Sequence, residues 1–135
     1  MKPEKKEEFI RNVGKLFSEL KKKLNLKATP KLFLVDDKDN ADDMFGRTGH
    51  YEPKTHIIKL FITDRHPKDI LRSFCHECIH HWQNENNKLS NTQTANSVNG
   101  DAQYAQNDPV LRKMEQQAYL LGNMIFRDWT DTNVE

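Results

Sequence analysis

Residues 67–86 read PKDILRSFCHECIHHWQNEN, and the five positions His76-Glu77-Cys78-Ile79-His80 inside that run decide how the chain is read. Pro67 suits the first turn of a helix, and no further proline or glycine interrupts the pattern as far as Asn86. At about 100° per residue, Leu71, Phe74, Cys75, Cys78 and Trp82 gather on one side of that helix. His76 and His80 project from roughly the opposite side, so one face is expected to anchor in a core and the other to line a cleft. Histidines four residues apart differ by about 40° in angle and roughly 6 Å along the axis. Both imidazoles can therefore reach one metal ion at about 2.0–2.1 Å. Glu77 can then lie beside a water on that ion and take its proton, as a general base must.

A hydrolytic zinc centre uses three protein ligands and leaves one position open. No His or Cys follows His81, so a ligand further along the chain must be Asp or Glu. On a helix from Pro109 to about Trp129, Leu111, Met114, Ala118, Leu121, Ile125 and Trp129 form an apolar stripe, with Glu115 within it or at its edge. A carboxylate there needs a cation or hydrogen-bond donors. Zinc would serve, and so would an arginine such as Arg72 or Arg112. Glu115 is the leading third ligand and Asp101 the second candidate. Tyr104 is the first candidate to stabilise an oxyanion; Tyr119 is another, with a packing role as its alternative.

Outward from these helices the pattern changes period. Phe9, Val13, Leu16, Phe17, Leu20 and Leu24 recur at steps of three and four, which predicts an amphipathic helix over 4–24. Leu32-Phe33-Leu34-Val35 reads as a buried strand and 36–43 as a polar loop. Residues 47–51 and 55–62 read as strands joined by a turn at Glu52-Pro53-Lys54. Thr63 or Asp64 can cap the helix that starts near Pro67. Residues 83–107, crowded with Asn, Gln, Ser and Thr, predict a long polar loop, and Asp108-Pro109 restarts a helix. Cys75 and Cys78 lack the further cysteines of a structural zinc site and sit mid-helix on the apolar face, so both read as small core residues. His81 points about 100° away from His80 and is not expected as a ligand. His50 and His56 in the hairpin read as surface residues or substrate contacts, and Gly122 as a site of close helix packing.

Taken together, His76-Glu77-Cys78-Ile79-His80 and Glu115-Gln116-Gln117-Ala118 resemble the gluzincin pattern, in which a second helix supplies the third zinc ligand. Gln83 and Asn86 stand where metzincins carry Gly and His, so that continuation is absent. The short chain resembles single-domain minigluzincins. The segments His80-His81-Trp82-Gln83 and Ala118-Tyr119-Leu120-Leu121-Gly122-Asn123 are similar to SprT-like peptidases of tailed phages. The resemblance implies an α+β, zincin-like single domain over 1–135: an N-terminal helix on a small twisted sheet, a metal helix and a C-terminal Glu helix. It implies one zinc per chain on His76, His80 and Glu115, and an endopeptidase with Glu77 as general base. A peptide or protein would be the substrate, laid along an edge strand at 55–62 by strand addition. The alternatives are a zinc-binding structural or virion protein without activity, and a DNA-associated SprT-like protease.

Composition narrows the partners. Residues 1–27 hold nine Lys/Arg against four Asp/Glu, yet the whole chain carries a net charge of only +1. The basic stretch reads as a solvated helix face, and neither nucleic acid nor membrane is expected as a partner. The start of the sequence lacks the apolar core of a signal peptide, and two cysteines make no disulfide framework. A cytoplasmic location is expected, in a host cell or a virion if the chain is phage-encoded.

Overall fold

A computed structural model describes residues 3–43, 46–86, 98–99 and 109–133. Helix α1 (Pro3–Leu24) is followed by strand β1 (Lys31–Val35), a short helix α2 (Lys38–Asp42) and strands β2 (Gly49–Glu52) and β3 (Ile57–Phe61). Helix α3 (Pro67–Glu85), the two-residue strand β4 (Val98–Asn99) and helix α4 (Pro109–Asn133) complete an α+β architecture. The sheet runs in the order β1-β3-β2-β4, with β1 parallel to β3 and the other neighbours antiparallel.

The register explains which face is buried. Leu32 pairs with Ile58, Leu34 with Leu60, Gly49 with Leu60 and Tyr51 with Ile58, so these six residues share one face of the sheet. That face lies against α3, whose far side meets α1 and α4. α3 is thus the central element, buried on nearly every side, including at Glu77, His80, His81 and Gln83. The expected division into a core face and an open cleft face does not hold, because α4 closes over the histidines.

Several elements differ from the sequence reading. α1 buries Phe9, Leu16, Leu20 and Leu24 as its spacing predicts, but it packs chiefly on α3 and α4 instead of on the sheet. β1 is a half-exposed edge strand, and Phe33 on its outer face is 50% exposed. β3 is interior, paired on both sides, so no peptide can add to 55–62 by strand pairing. Residues 38–42 form α2 because the Asp37 side chain accepts from the Asn40 N–H and caps it. The cap of α3 is His66, whose Nδ1 accepts from the Lys68 N–H at 3.1 Å. Thr63 instead accepts from the Asp37 N–H. Within the expected polar loop, residues 83–85 are the last turn of α3, and 98–99 pair with β2. Asp101, Tyr104 and Asp108 lie outside the described residues. Among the described residues, no helix is long and apolar enough to cross a membrane.

Candidate metal centre

β2 runs along α3 and presents two residues of one face to it. Tyr51 meets His81, its hydroxyl 2.8 Å from the ring Nδ1. Gly49 meets Glu77 one helical turn earlier. A Cβ at Gly49 would lie 2.9 Å from Glu77 Oε2 and 3.0 Å from its Cγ, so the carboxylate occupies the space that any other residue would fill. On the opposite side of α3, Gly122 lets α4 approach: a Cβ there would lie 3.3 Å from the His76 backbone nitrogen. The close contact expected of Gly122 is present, and it falls behind a histidine of the motif.

This approach brings Glu115 to both histidines. Glu115 Oε2 lies 3.1 Å from His76 Nε2 and Oε1 lies 2.8 Å from His80 Nε2. The two imidazoles meet edge to face with centroids 4.9 Å apart. His76, His80 and Glu115 thereby converge as a group that could hold a metal ion. Arg72, one of the two arginines considered for Glu115, instead bonds Asp69 Oδ1 at 2.8 Å and covers the Phe126 ring.

Whether these residues fit an ion can be judged from their lone pairs. His80 Nδ1 sits 2.8 Å from Gln83 Oε1, and Gln83 Nε2 donates to the Met114 carbonyl at 3.0 Å and to Gln117 Oε1 at 2.8 Å. A carbonyl only accepts, so the Gln83 amide nitrogen must face it and its oxygen must face His80. Nδ1 then carries the hydrogen, and His80 Nε2 is left as the nitrogen that faces Glu115. His80 Nε2 and Glu115 Oε1 are both buried without a hydrogen-bond partner, and Glu77 Oε1 is a third such atom. A ring nitrogen and a carboxylate oxygen 2.8 Å apart hold a cation between them, either a proton on Nε2 or a metal ion. Ligand atoms of one tetrahedral ion bound at about 2.0–2.1 Å lie roughly 3.3 Å apart, so the observed 3.1 and 2.8 Å need only a slight opening. The donor set fits a divalent ion.

The carboxyl groups are driven in opposite directions. Burial raises the pKa of Glu77 to about 8; the charge of Glu115 adds to this and His76 opposes it. Burial also acts to raise Glu115, but its contacts with the His76 and His80 imidazoles outweigh it and hold that carboxyl at about 2. One carboxyl is thus pulled toward its charged form and the other toward its protonated form.

The remaining candidates fall around this centre. Tyr119 is exposed at its rim, with its ring 6.4 Å from that of His76. His81 is not a ligand: its Nε2 faces the Ala28 carbonyl at 2.8 Å and its Nδ1 the Tyr51 hydroxyl. That places it in the core, a role for which the sequence offers no signal beyond its position on the helix. His50 is buried beside Glu52, and His56 stacks edge-on against His81, both away from the cluster. Cys75 and Cys78 are buried free thiols, each raised in pKa by burial, as core residues should be. Gln83 is the residue that sequence reading missed, since a polar side chain near a helix end gives no sign of being fully buried. Comparison with protein-family models, curated proteins and solved structures finds no match.

Proposed function

We propose that the chain is a zinc-dependent endopeptidase of gluzincin type, on a zincin-like α+β domain. The observation that carries this reading is the meeting of His76, His80 and Glu115, with Glu77 Oε1 buried and without a hydrogen-bond partner on the same helix. Zinc held by those three side chains would polarise a scissile carbonyl and lower the pKa of a water. Glu77 takes the proton of that water and later delivers it to the leaving amine. Its carboxyl is buried, with Oε1 lacking a hydrogen-bond partner, which supports that role. Gly49, lacking a side chain, leaves the space on β2 that this carboxyl occupies. Tyr104 keeps its sequence-based role as a candidate for oxyanion stabilisation.

The test is hydrolysis of a mixed peptide library by zinc-loaded wild type and Glu77→Gln. The expected outcome is turnover by the wild type and a loss of about 10²–10⁴-fold in the variant, with zinc content unchanged. Zinc binding without turnover in either protein would leave a structural zinc protein. Salt-dependent DNA binding by the wild type would favour the DNA-associated protease.

A further inference from the structure

Gln83 is the one fully buried amide side chain on α3, and it hydrogen-bonds both His80 and α4. Its oxygen takes the Nδ1 hydrogen of His80. Its two amide hydrogens go to the carbonyl of Met114, the residue before Glu115, and to Gln117, two residues after it. One side chain therefore touches a ligand on α3 and brackets the ligand on α4. The amide cannot turn over without setting its nitrogen hydrogens against His80 Nδ1–H and its oxygen against the Met114 carbonyl.

We propose that Gln83 is a positioning residue for the metal centre: it holds His80 with a hydrogen on Nδ1 and Nε2 turned to the metal, and it ties the Glu115 segment of α4 to α3 at the height of that nitrogen. The proposal rests on the metal reading for its purpose, but its structural content is independent of it. A histidine donates one ring nitrogen to a metal only when the other carries the hydrogen, and the partner of that hydrogen fixes both tautomer and ring orientation. Carboxylates, backbone carbonyls and waters commonly fill that place. Here a neutral amide does, and its nitrogen side gives it a second purpose that a carboxylate could not serve. The site's geometry is thus set from one buried point between the two helices.

Two measurements decide it. The first is nitrogen-15 NMR of the imidazoles in zinc-free wild type at neutral pH. The expected result is a protonated Nδ1 on His80, whether or not Nε2 also holds a proton. A His80 with bare Nδ1 and hydrogen on Nε2 overturns the proposal. The second is zinc affinity, by competition with a chelator, of Gln83→Met and Gln83→Glu. Gln83→Met keeps the length and removes every hydrogen bond, and should weaken zinc binding by about 10- to 100-fold. Gln83→Glu restores an acceptor for Nδ1–H and should recover part of that loss, which a purely space-filling role would not give. Unchanged affinity in Gln83→Met overturns the proposal. If the wild type takes up no zinc, the metal reading fails, and the NMR result still decides whether Gln83 sets the tautomer.

Discussion

At the scale of single residues, the centre depends on what is absent as much as on what is present. Gly49 has no side chain, and the Glu77 carboxylate fills its place. Gly49→Ala must move that carboxylate or strand β2, since 2.9 Å is below any ordinary carbon–oxygen contact. Overpacking of this kind costs about 1–3 kcal/mol. The variant should lose that much stability in urea unfolding, keep its zinc, and lose turnover, because the proposed general base alone is displaced. The buried thiols give a contrasting case. Cys75→Ser and Cys78→Ser each place a hydroxyl in an apolar setting, at a cost of about 1–3 kcal/mol. Denaturation midpoints should fall while zinc content stays at the wild-type level; loss of zinc with little loss of stability would show that these side chains face the centre. That His76 and His80 share a face was legible from spacing alone, because i and i+4 on a helix lie one above the other. The burial of Gln83 and His81 was not, because α4 and β2 are what cover them, and neither is a neighbour in sequence.

At the scale of elements, the angle and distance between α3 and α4 set how Glu115 meets His76 and His80. Gly122 controls that distance, with a Cβ there reaching 3.3 Å from the His76 nitrogen and 3.4 Å from its Cα. Gly122→Ala gains about 1 kcal/mol in helix propensity and costs about 1–3 kcal/mol in overpacking. Stability of the metal-free protein should therefore fall by at most about 2 kcal/mol, yet zinc affinity should drop as Glu115 is carried away from the histidines. A chelator competition on the purified variant checks this; unchanged affinity would mean that the helices move together. Helices α1, α3 and α4 were readable from their periodic stripes and from Pro67 and Pro109. The strand order was not. The apolar run 57–62 suits an edge or an interior strand equally, and only the parallel pairing with β1 shows that both its edges are occupied. The cap was misplaced for a related reason: Thr63 is a better N-cap by type, but its hydroxyl is already engaged by the backbone of Asp37.

At the scale of the molecule, α3 is the hub, with the sheet on one side and α1 and α4 on the other. Its far end is also tied in, since the Glu85 carboxylate accepts from the Lys27 and Ala28 N–H groups ahead of β1. A metal at the centre would cross-link α3 and α4 and so bind the folded chain alone. Free zinc at about 100 times its dissociation constant should then stabilise the fold by about 2.7 kcal/mol, read as a rise in melting temperature that a chelator reverses. The central claim is that one zinc is held by His76, His80 and Glu115, and its most direct measurement is a zinc titration of three proteins. Wild type should bind one zinc per chain, Asp101→Ala should match it, and Glu115→Ala should bind more than about 100-fold more weakly. If Glu115→Ala retains wild-type affinity while Asp101→Ala releases the metal, the third ligand lies in the 100–108 segment and the two-helix centre is wrong.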